Sequence, residues 1–200
     1  MATQKILNTP LQIFRSNIVS KYEIYLNNFN AEYDGDFIAF SEKNAVATDA
    51  ALTVIVFAAM AYETFCFDYV TVVEQSKKRA KKILKKYTAI ERIKEITKRY
   101  FSAEFPENSD AYIALKNVIK TRNKIIHAEP GVIEYDSKNG KITNDTRFWI
   151  GKQNVDNAYN SFDLMIEELK KIDTKLNEKR DFYLYKNNYF KDHRYSLLEK

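Results

Sequence analysis

The stretch from Ala50 to Tyr62, AALTVIVFAAMAY, is apolar almost without a break, and it restricts the fold more than any other segment. A helix that is apolar on every side has to be surrounded. The run is shorter than the roughly 20 residues a helix needs to cross a bilayer. Thr48 and Asp49 precede it, and Glu63 and Asp68 follow it. The segment therefore predicts the central buried helix of a bundle, from about Asn44 or Thr48 to near Gln75, with no membrane span.

The rest of the chain supplies helices to surround it. A first helix is predicted from Pro10, capped by Asn8 or Thr9, to a stop near Gly35. Leu11, Phe14, Ile18, Tyr22, Tyr25 and Phe29 form its stripe. Residues 36–43 read as a short connection. Residues 76–101 read as a polar helix with Ile83, Leu84, Tyr87, Ile90, Ile93 and Tyr100 on its buried side. FPENSD, residues 105–110, interrupts the pattern, and Ser109 or Asp110 caps the next helix, Ala111 to about Ala128. Between Pro130-Gly131 and the last helix, Val155 to about Arg180, the pair Asn139-Gly140 lies between short extended runs, a hairpin signal.

Only four glycines and three prolines occur in 200 residues, and no repeat or linker divides them. The expected fold is all-α: one antiparallel helical bundle over residues 1–200, with a small β-hairpin insertion near 132–150 and an aromatic, basic tail at 181–200.

The net charge of +5 permits a polyanionic partner without requiring one. The single cysteine, Cys66, lies in an apolar run and suits a buried thiol in a reducing, cytoplasmic setting. The start, MATQKILNTP, lacks an apolar h-region, so no secretory signal is predicted. Charge is concentrated in KKRAKKILKK, residues 77–86, where Lys78, Lys81, Lys82, Lys85 and Lys86 occupy much of one side of a helix. Such a face is a solvated surface, a track for RNA phosphates or a cross-chain contact. Lys186, Lys191, His193 and Arg194 add cations among the tyrosines of the tail.

On the helix 111–128, Tyr112, Leu115, Ile119, Arg122 and Ile126 share one face, so an arginine stands where the period asks for an apolar residue. It either extends its head to water or pairs with Glu63 or Asp68 of the long helix. Asn123 and His127 stack four residues apart, whereas Arg122 and His127 lie about 140° apart on an ideal helix. His127 by itself suits a last turn, where imidazole meets free carbonyls. Together the three also suit phosphodiester chemistry. Arginine stays charged while a phosphorane gathers negative charge, and histidine exchanges protons near neutral pH. The sequence has no HExxH, CxxC or phosphate-loop motif, so no metal and no cofactor is expected.

Arg122, Asn123 and His127, in the context LKNVIKTRNKIIHAE, resemble the motif of the HEPN superfamily: arginine, a small polar residue, then histidine after four to six intervening positions. The apolar AALTVIVFAAMAYETFCFDYV is similar to the second helix of such domains, with Glu63 at an acidic position seen in several branches. The resemblance covers about residues 48–180. It implies a metal-independent endoribonuclease, usually dimeric, of the kind found among toxins and antiphage defence effectors, with two motifs facing each other across the interface. His127 would assist attack of the ribose 2′-hydroxyl or protonate the leaving oxygen, and Arg122 would hold the phosphate. Asn123 would position one of them, and the product would be a 2′,3′-cyclic phosphate. An antitoxin or other regulatory protein is an implied partner. Where some members carry a tyrosine two residues past the histidine, this chain has Glu129. The alternative expectation is a non-catalytic helical module that binds nucleic acid, a nucleotide or a protein, with His127 as a cap.

Overall fold

Pro10 opens the first helix: its carbonyl accepts the Phe14 amide at 3.1 Å, and helix α1 runs Leu11–Phe29. The computed structural model describes residues 5–8, 10–29, 37–127, 133–135, 142–145, 150–176 and 194–197. Along α1, Leu11, Ile18 and Tyr25 are buried, and Phe14, Tyr22 and Phe29 pack against the same core.

Helix α2, Phe37–Glu74, is the long central element. It begins before Asn44, and the connection expected at 36–43 is helical from Phe37 onwards. The reason is plain in the sequence, since nothing between Phe37 and Asp49 is glycine or proline to stop a helix. Ala50, Val54, Ile55, Ala58, Ala59, Tyr62, Phe65 and Cys66 are fully buried. The alanines leave room for neighbouring helices, and α1, α5 and α6 all lie along α2. By length and composition, Glu42–Glu74 could cross a membrane, but more than half of its most apolar window is buried against the other helices. That is the packing of a bundle's central helix.

The single helix expected over 76–101 is two. Helix α3, Lys77–Leu84, starts on Ser76, whose side chain accepts the Arg79 amide. Helix α4, Glu91–Ile96, continues into a wider π-type turn, Thr97–Phe101. The interruption has a local cause. Glu91 accepts from the Thr88 amide at 2.9 Å and from the Thr88 hydroxyl at 2.7 Å, the back half of a Thr-x-x-Glu capping box. It also has a tertiary one: the Tyr62 hydroxyl of α2 donates to the Ala89 carbonyl at 2.7 Å and anchors the break. Of the predicted stripe residues, Leu84 and Ile93 are buried and Ile83, Ile90 and Tyr100 pack against the core, and Ile96, outside that stripe, is buried as well.

Helix α5, Asp110–Ile126, lies beside α6, Lys152–Leu176. On α6, Val155, Ala158, Phe162, Met165, Leu169 and Ile172 are buried. Each large apolar side chain sealed in this way contributes roughly 1.5–3 kcal/mol. The predicted extensions of α6 to Arg180 and of a tail over 181–200 reach past the described residues, apart from Arg194–Leu197.

The bundle is all-α, as expected, but the β-hairpin insertion at 132–150 is corrected. Two extended segments there, β2 (Ile133–Tyr135) and β3 (Ile142–Asp145), run antiparallel, with Glu134 opposite Asn144 and an irregularity before Tyr135, which faces Ile142. A two-residue turn on Asn139-Gly140 would instead place Glu134 opposite Asp145, so the register does not fit the predicted hairpin. A second contact of this kind, between β1 (Lys5–Asn8) and β4 (Arg194–Leu197), joins regions where no strand was expected. Each segment has only three or four residues and pairs chiefly with its own partner. Two-stranded contacts this short build no sheet layer, and the architecture is set by helices alone.

Candidate active site

Helix α5 delivers its last turn to a fixed place because it is held along its length. Ser109 accepts the Tyr112 amide at 3.2 Å and closes the first turn. Tyr112, Leu115, Val118 and Ile119 are buried. Near the far end, Thr121 is also buried, and its hydroxyl accepts from the Asn154 side chain of α6 at 3.3 Å.

Arg122 follows, and here the stripe changes character. Its side chain is 24% exposed, and its guanidinium donates to the Glu63 carboxylate on α2. The sequence left Glu63 and Asp68 open as partners for this arginine, and the fold selects Glu63. Asp68 is buried further along α2. Ile126, predicted on the same buried face, is 56% exposed. The buried apolar stripe therefore stops at Ile119, and beyond it Arg122 meets α2 through an ion pair.

Glu63 is shared. Its second oxygen, Oε2, lies 3.7 Å from Nη1 of Arg92 on α4. That separation is an ion pair and too long for a hydrogen bond. Two guanidiniums from α4 and α5 thus surround one carboxylate from α2, leaving the cluster one positive charge in excess. Arg92 was absent from the sequence-based candidates, and no spacing marks it. It reaches Glu63 because the Tyr62–Ala89 hydrogen bond ties the start of α4 to α2 one residue before Glu63.

Asn123 and His127 point the other way. Both are exposed. The His127 amide closes the helix on the Asn123 carbonyl at 3.0 Å, and with φ −109° and ψ 26° His127 leaves helical geometry. The backbone function of His127 as a terminal residue and the solvent access of its imidazole coexist. Among the described residues no hydrogen bond joins Arg122 to His127, so the motif splits into an anchored arginine and an open Asn123–His127 pair.

Lys78, Lys81, Lys82, Lys85 and Lys86 are all exposed on and just beyond α3, and none forms an ion pair among the described residues. Glu129 and His193 lie outside the described residues. Cys66 is completely enclosed, and burial pushes its thiol up to about 12, so it is a poor nucleophile. A groove of about 480 Å³ between α5 and α6 is lined by Ile113, Ala114 and Leu164 but rimmed by Asp110, Asp163 and Glu167. It lies towards the opposite end of α5, and its acidic rim suits an RNA phosphate poorly. Among the described residues no group of three or more His, Cys, Asp or Glu side chains is placed to hold a metal ion.

No family model, curated protein or solved structure matches this chain.

Proposed function

We propose that the chain is a metal-independent endoribonuclease of HEPN type, with its active centre completed by a second copy of itself. The observation that carries this reading is the Glu63–Arg122 contact. It fixes a permanently charged guanidinium at the end of α5, within one and a half turns of an exposed imidazole. In the proposed reaction His127 exchanges the proton of the 2′-hydroxyl or of the leaving 5′-oxygen. Arg122 stabilises the negative charge that gathers on the phosphorane oxygens, Asn123 orients the substrate, and a 2′,3′-cyclic phosphate results. Glu63 is a positioning residue that acts through Arg122. DNA lacks the attacking hydroxyl, so it is at most a competitor.

The second copy has a geometric motive. Arg122 turns inward and His127 outward, so a facing copy supplies the group that one helix cannot aim. Met60, 40% exposed one turn before Glu63, and Ile126, 56% exposed one turn after Arg122, offer apolar surface beside the site for such a contact. The exposed lysines of α3 gather the strand. Activity of this kind fits a cytoplasmic toxin or antiphage effector restrained by a regulatory protein.

The test is RNA cleavage by the purified protein in EDTA, beside His127→Ala. Cleavage should persist in EDTA and fall at least about 100-fold in the variant. Equal rates would remove His127 from the mechanism. The exposed α3 lysines favour a second reading, a non-catalytic RNA-binding module, which predicts tight binding of RNA with no cleavage by either protein.

A further inference from the structure

We propose that Arg92 is a second phosphate-contacting residue, and that Arg92 and Arg122 form a clamp about Glu63 for a single phosphodiester. The inference deepens the ribonuclease reading and rests on it only for the identity of the strand.

Three observations point to Arg92. The cluster holds two arginines and one glutamate, so its formal charge is one positive in excess, matching the single negative charge of a phosphodiester. Arg92 is the looser of the two arginines, at 3.7 Å from Glu63 Oε2, whereas Arg122 is hydrogen-bonded to Oε1. The Arg92 Nε is buried with no hydrogen-bond partner among the described residues. A buried donor without an acceptor is costly, and natural structures rarely leave one. Nothing in the described packing therefore locks the Arg92 guanidinium by a full set of bonds. Its side chain is 25% exposed, which leaves the terminal nitrogens within reach of a ligand.

The exposed terminal nitrogens suit an acceptor with several oxygens and a negative charge. Phosphate meets that need, because its oxygens take parallel N–H donors from a guanidinium fork. Glu63 then has a purpose beyond neutralisation: it separates two like charges and orients both forks towards one point. An arriving phosphate displaces the weaker Arg92 contact first, while Glu63 keeps Arg122 in place. Free phosphate and an RNA phosphodiester share this chemistry, and the test distinguishes them.

The 200-residue chain is titrated with a fluorescent single-stranded 2′-O-methyl RNA, which it cannot cleave, over a salt series. Inorganic phosphate is titrated separately by calorimetry. Arg92→Gln should raise Kd about tenfold and flatten the salt slope by about 0.7, the signature of one lost contact to a single strand. Arg92→Lys should restore the slope but only part of the affinity, because it keeps the charge and loses the fork. An arginine with a purely structural role would lower the unfolding midpoint and leave the slope alone. Unchanged Kd and slope in a folded Arg92→Gln protein would overturn the clamp. If that variant does not fold, wild-type affinity in Arg92→Lys would do the same. Phosphate binding that disappears in Arg92→Gln, without RNA binding by the wild type, would assign the clamp to free phosphate. Wild-type protein that binds neither probe would end the proposal. Arg92-dependent binding without cleavage in EDTA would remove the ribonuclease reading alone, and cleavage without Arg92 dependence would remove the clamp alone.

Discussion

The molecule carries two concentrations of positive charge that differ in everything except sign. On α3 the lysines stand in water, on flexible stems, with no ion pair among the described residues. At the α2–α4–α5 junction two arginines are about three-quarters covered and share one carboxylate. The first arrangement attracts a polyanion from a distance but cannot fix an atom. The second gives up much of its field to Glu63 and gains a defined direction. Charge that gathers and charge that positions are thus separated onto different helices, and the difference lies in desolvation and partnering more than in charge count.

Variants that exchange these two behaviours test the contrast. The largest effect should follow Arg122→Ala, which takes away the positioned cation. Cleavage should fall about 100-fold or more, as when one transition-state donor is lost, with a smaller change in affinity for uncleavable RNA. A matching loss in both would make Arg122 a binding residue only. Next comes the combined change of Lys81, Lys82, Lys85 and Lys86 to Gln. It should weaken RNA binding roughly tenfold or more and flatten the salt slope by about 3, while the rate at saturating RNA and the unfolding midpoint hold steady. A slope that did not move would leave α3 as a solvated face. The smallest effect belongs to Glu63→Gln, which leaves two guanidiniums facing an uncharged amide. Because the pair is about one-third exposed on the glutamate side, the stability loss should be about 1 kcal/mol, well below that of a sealed pair. Urea unfolding reads it, and no change in midpoint would mean that Glu63 orients the arginines without stabilising the fold.

Much of the fold is legible in the sequence because it depends on local periodicity. The all-round apolar run of α2, the stripe of α1 and the Ser109 cap of α5 each report their own environment, and each is found where the pattern puts it. Boundaries were less legible. The Thr88-x-x-Glu91 box is a readable start signal, but the apolar period runs through it and masks the boundary. The Asn139-Gly140 pair misled in the other direction: a favourable turn dipeptide states a preference, and the pairing of β2 with β3 follows a different register.

The candidate site divides along the same line. That Arg122 breaks an apolar stripe, and that His127 ends a helix before Pro130-Gly131, are properties of one segment, and the sequence by itself determined them. Only the tertiary structure decided between Glu63 and Asp68, turned Ile126 outward, and brought Arg92 to the carboxylate. Those outcomes depend on how α4 and α5 cross α2, which side-chain packing and the Tyr62–Ala89 anchor set together. A sequence period records which side of a helix is covered. It holds no record of which residue on another helix does the covering.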